Sequence, residues 1–227
     1  MESKSGRDNK FYALIAVLII ILIFITVIIS SNELFQSYVD DDVLTNGWYE
    51  NNKSHQETGF LGLEKQVSFN YNNDNESYAA YLTVSSFKTI FMISEEDLID
   101  LTIETINEAM EDRNISIDTN SIKEGQRVLK NNHKTNYVTY NASKMINNFV
   151  EEFKIIGESW NCDKSGSSIV VIGYAQITNK SLDQENKEFS YFAKMIKDPA
   201  NTFDFIYKDN TYPFLGDDGL IFNIICH

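Results

Sequence analysis

FVEEFKIIGESWNCDKSGSSIVVIGYAQIT, residues 149–178, decides how the chain folds. Asp163-Lys164-Ser165-Gly166-Ser167 is a turn-forming cluster, so residues 149–161 and 168–178 read as the two strands of a hairpin. Ile169, Val170, Val171 and Ile172 are apolar without alternation, and Ile155 and Ile156 repeat this in the outgoing strand. Side chains alternate between the faces of a strand, so a strand that is apolar at every position is covered on both sides.

Two covers are therefore needed, and the sequence offers two helices. Ser94-Glu95-Glu96-Asp97 opens the first: Ser94 caps the free amides, and the acids sit where the helix dipole favours negative charge. Leu98, Leu101, Thr105, Ile106, Ala109 and Met110 then recur at helical spacing, and Asn114 ends the run. Residues 185–197 supply the second, with Phe189, Phe192, Ala193 and Ile196 on one stripe before Asp198-Pro199 stops it. The expected fold is α+β, an antiparallel sheet sandwiched by helices.

The remaining strands fall on either side. Trp48 and Tyr49 read as a strand entering the core, and the polar run 50–58 as a loop. Val67, Phe69 and Tyr71 alternate with polar residues, and the aromatic and β-branched run 78–92 pairs back as a long strand. Residues 122–130 and 135–142 form another hairpin around Asn131-Asn132-His133-Lys134, and residues 220–226 return to the sheet as the last strand.

Residues 11–29, FYALIAVLIIILIFITVII, carry no charge, and about 19 residues of helix match the thickness of a bilayer core. Residues 11–30 thus read as an N-terminal transmembrane helix, uncleaved because the run is longer than a signal peptide's and lacks its small-residue cut site. Lys4, Arg7 and Lys10 precede it, whereas Glu33, Asp40, Asp41 and Asp42 follow. The positive-inside bias then puts residues 1–10 in the cytoplasm and the rest outside the cell membrane. Residues 31–46 read as a juxtamembrane stalk, and residues 47–227 as one extracytoplasmic domain. The formal net charge of -14 and the lack of a basic stripe exclude nucleic acid as a partner.

The order of elements, paired strands, a helix, an antiparallel meander and a closing helix, resembles the Mog1/PsbP-like sandwich. Residues 125–129, GQRVL, with 133–137, HKTNY, and residues 155–162 with 165–169 also resemble segments of uncharacterised membrane-anchored archaeal proteins. The first resemblance implies a binding or assembly factor rather than an enzyme, and it carries over no functional residue.

Cys162 and Cys226 are the only cysteines, and in an exported domain they read as a disulfide. The alternative is a soft-metal or redox site in which His227, and with it His133, joins both sulfurs. Glu158 offers that site a carboxylate. Only Cys226-His227 has local ligand spacing, so neither a metal nor a cofactor is expected. Glu158 and Trp160 share a strand face with Ile156 and Cys162. With Arg127 and His133 they are the candidate ligand-binding residues, Glu158 also reading as an ion-pair partner of Arg127. No G-x-S-x-G turn or carboxylate pair supports catalysis. Asn70–Glu76 reads as a hairpin turn rather than a calcium loop. Sequons stand at Asn52, Asn75, Asn114, Asn141 and Asn179. The sequence thus predicts a membrane-tethered, non-catalytic module that engages a protein or small-molecule ligand.

Overall fold

The computed structural model describes residues 17–20, 35–45, 47–58, 64–73, 80–89, 92–177, 191–200, 202–203 and 219–226. The chain divides into two compact units, Met1–Glu33 and Leu34–His227. Of the first, residues 17–20 are described, and they are helical and exposed. Among the described residues no helix is long and apolar enough to cross a membrane. The expected transmembrane helix is thus not found, and most of residues 11–30 lie outside the described residues.

The second unit is built on strands β1 (Tyr38–Val39), β2 (Trp48–Thr58), β3 (Glu64–Asn73), β4 (Ala80–Lys88), β5 (Ser116–Val128), β6 (Lys134–Ile146), β7 (Phe149–Cys162), β8 (Ser167–Ile177) and β9 (Ile224–Ile225). Seven of them make one antiparallel sheet of order β2-β3-β4-β8-β7-β6-β5. Two meanders meet where β4 pairs with β8, from Ala80↔Ala175 to Phe87↔Ser168. Helix α1 (Glu95–Glu111) crosses between them.

The fold is mostly β, which corrects the α+β sandwich. Both faces of the sheet are covered, as the apolar strands required, one by a long helix and the other, among the described residues, by short segments of which 191–196 are helical. On the first face Leu98, Ile106 and Met110 of α1 pack on Val138, Tyr140, Phe153, Ile155, Val170 and Ile172. Gly157 lets the helix down onto β7, since a Cβ there would stand 2.6 Å from Ile106 and 2.7 Å from Thr102. The helix starts at Ser94, whose Oγ accepts the Asp97 N–H at 3.1 Å. It stops where Asn114 takes a φ of 54°, a left-handed conformation that asparagine tolerates.

The second face carries Phe69, Tyr71, Leu82, Ile156, Trp160 and Val171, and among the described residues its cover comes from 35–45, 191–200, 202–203 and 219–226. The helix expected over 185–197 is described only as residues 191–196, and 185–190 lie outside the described residues. Gly173 admits this cover, because a Cβ would stand 2.8 Å from the Met195 sulfur. Residues 191–196, which carry Phe192, Ala193 and Ile196 of the expected stripe, are helical and bury those three side chains.

Three further expectations change. Residues 35–45, read as stalk, belong to the domain: Val39 is fully buried, and Tyr38–Val39 pairs with Ile224–Ile225. The final segment therefore closes on β1 rather than on the main sheet, after a 3-10 turn at Ile221–Asn223. Residues 50–58, read as loop, lie in the edge strand β2, where side chains 50–56 face solvent and need no apolar period.

Candidate functional site: a buried dithiol beside an imidazole

Three chain segments from different parts of the sequence meet at one end of the sheet. Cys162 ends β7, and its carbonyl accepts hydrogen bonds from the N–H groups of Ser165 at 3.2 Å and Gly166 at 2.8 Å in the turn that follows. Gly166 has a φ of 62°, which glycine adopts without strain. His133 stands at the close of the β5–β6 turn, where Asn132 takes a φ of 64° and the Leu129 N–H donates to the His133 carbonyl at 3.0 Å. Cys226 follows β9.

The β5–β6 turn holds the Cys226 segment in place. Lys130 N–H donates to the Phe222 carbonyl at 3.2 Å, Lys130 Nζ to Asn223 Oδ1 at 2.8 Å, and Asn131 Nδ2 to the Ile224 carbonyl at 3.1 Å. The two sulfurs then lie 3.1 Å apart, and His133 Nε2 lies 2.9 Å from Cys226 Sγ. The two cysteines are buried and not joined to each other by a disulfide, whereas His133 is half-buried. The three ligand atoms all fall within 4.8 Å of one another, and a single ion at about 2.0–2.3 Å from each fits once the outermost pair draws in by about half an ångström.

The electrostatics favour a neutral sulfur until a cation arrives. Burial pushes the Cys226 thiol up from 9.0 to about 12, the neighbouring Cys162 adds to the rise, and Trp160 and Lys164 oppose it. A thiol held protonated is a poor nucleophile. The Trp160 indole N–H is buried and has no hydrogen-bond partner among the described residues, yet it lies close enough to favour a Cys226 thiolate. A negative sulfur would satisfy that donor. A cavity of about 280 Å³ lined by Asn132, His133, Trp160, Asn161 and Asp163 lies beside the imidazole.

Arg127 and Glu158 form a different centre. Arg127 Nε donates to Glu158 Oε1 at 2.9 Å and Nη2 to Oε2 at 2.6 Å, a bidentate pair with both side chains buried. Its Nη1 reaches Asp198 Oδ2 at 3.2 Å and the Ile196 carbonyl, and Thr135 Oγ1 donates to Glu158 Oε1 at 2.5 Å. Burial works against the guanidinium's charge, and Glu158 and Asp198 outweigh it, so the Arg127 pKa rises. Every oxygen of Glu158 is engaged internally. The group fastens residues 196–198 to the sheet and is not aimed at a ligand.

Of the sequence candidates, the structure brings together Cys162, Cys226, His133 and Trp160, and it sets Arg127 and Glu158 apart as an ion pair. His227 lies outside the described residues, as do Asn75 and Asn179. Asn114 is exposed, and Asn141 and Asn52 are exposed on strands, Asn141 accepting from Lys154 Nζ at 2.8 Å. Asp198 was missed, because its role depends on a contact with Arg127 across 71 residues. No family model, curated protein or solved structure matches the chain.

Proposed function

We propose that this domain is a non-catalytic binding protein for a thiophilic d10 cation, monovalent copper or zinc, held by Cys162, Cys226 and His133. The observation that carries the reading is the convergence of two thiols and an imidazole nitrogen within 4.8 Å, from segments with no local ligand spacing. Two sulfurs and one imidazole are the donor set that soft ions select, and the bound cation displaces the thiol protons. The raised Cys226 thiol argues against nucleophilic chemistry at the same place. The apolar residues 11–29, with cations before them and acids after, support work at a membrane, on its extracytoplasmic side.

The test is titration of the reduced full-length chain with Cu(I) against a chromophoric chelator, and separately with Zn(II). One equivalent of one of the two ions is expected. Binding should be abolished in C162S and C226S and weakened at least about tenfold in H133N. No binding by the reduced protein, or one equivalent still held by both serine variants, overturns the reading.

A further inference from the structure

The hairpin of β6 and β7 runs past both of its neighbours. β5 last meets β6 at Ser116↔Ser143, and β8 last meets β7 at Glu152↔Ile177. Beyond them the rungs Lys144↔Glu151, Met145↔Val150 and Ile146↔Phe149 have no flanking strand among the described residues. Asn147 and Asn148 close this finger with φ of 49° and 69°, the pair of left-handed residues that a type I′ turn requires.

A finger projecting into water should be polar, and this one is not. Phe149 is 73%, Met145 65% and Val150 61% exposed, the three most exposed large apolar side chains among the described residues. Strand side chains alternate, so Met145 and Val150 point to one face and Ile146 and Phe149 to the other. The docking surface of a partner protein covers one face of such a ribbon, whereas immersion in an apolar liquid covers both. Three rungs rise about 10 Å, which is the depth that interfacial segments reach into a bilayer.

Charge narrows the surface. Residues 145–150 carry none, and the opposite charges of Lys144 and Glu151 stand across from each other at the base, where headgroups would lie. A net charge of -14 is repelled by anionic headgroups and tolerated by zwitterionic ones. We propose that residues 145–150 insert into the acyl region of a bilayer with zwitterionic headgroups. The finger is at the opposite end of β7 from Cys162, so this inference is independent of the cation site.

The experiment uses the full-length chain with phosphatidylcholine vesicles whose acyl chains carry bromine, a contact quencher of indole fluorescence. The native Trp48 and Trp160 are buried and give a constant background. An added indole in F149W should be quenched at least about twofold more than one in V128W, an exposed position at the far end of β5. Aqueous iodide should lose its access to F149W when vesicles are added. Equal bromine quenching at the two positions overturns the proposal. So does an F149W indole that iodide still reaches, or one shielded from both quenchers, which would be covered by protein.

Discussion

The two faces of the sheet are closed by opposite means. Helix α1 satisfies most of its own backbone groups, so its buried contact with the sheet is almost wholly apolar. The other cover, among the described residues, joins the helical residues 191–196 to short stretches outside regular structure, whose backbone groups need partners brought into the core. Tyr71 Oη accepts the Val39 N–H at 2.9 Å, Ser86 Oγ the Ser37 N–H at 2.8 Å, and Arg127 donates to the Ile196 carbonyl. A regular cover can stay greasy, whereas an irregular one imports polar chemistry, and both the ion-pair group and the thiol site lie there.

Arg127 is where the contrast breaks most visibly. Arg127→Ala leaves Glu158 and Asp198 buried without their counter-ion, and a loss of about 3–5 kcal/mol is expected in urea denaturation. A loss no larger than that of an ordinary surface substitution would show that the irregular cover stands without its ion pairs.

Alkali tests the same face more gently. Burial holds the Cys226 thiol protonated up to about pH 12, whereas the unfolded chain releases that proton near its ordinary 9.0. Over that window the native state binds more protons than the unfolded one, so stability is full below it and falls as pH rises through it. Melting of the reduced, metal-free domain should therefore decline across this range, and C226S should decline less. Identical slopes would remove Cys226 from the account.

The smallest effect belongs to the helical face. Ser94→Ala removes the cap on the Asp97 N–H and should cost about 1 kcal/mol in a thermal melt while leaving cation affinity unchanged. A change in affinity would mean that the two faces are not separate.

The helical face was the legible one, because its signals are local. Ser94, the acids after it and the 3.6-residue period lie within one stretch, and the doubly apolar β8 announced that both sides of the sheet are covered. The irregular face was opaque for the complementary reason. Val39 meets Ile224, Arg127 meets Asp198, and His133 meets Cys226 across distances in sequence that no spacing rule encodes. The edge strand β2 was read only at its start, Trp48 and Tyr49, because NNKSHQET after them has no apolar face to show and takes its strand character from pairing with β3. The proximity of the cysteines followed from their number, and the imidazole beside them only from the turn at Asn132.

The pairing of Tyr38–Val39 with Ile224–Ile225 has a mechanical consequence. The two strands are antiparallel, so the chain leading into Tyr38 and the chain leaving Ile225 depart from the same end of a two-rung ladder. Tension between the chain ends would peel those rungs singly, an unzipping load, once the side-chain bonds that hold Gln36 and Ser37 to Lys53 and Ser86 have given way. Cys226 is next to the first rung to open, so a pull too weak to unravel the domain would already draw one sulfur out of reach of the other.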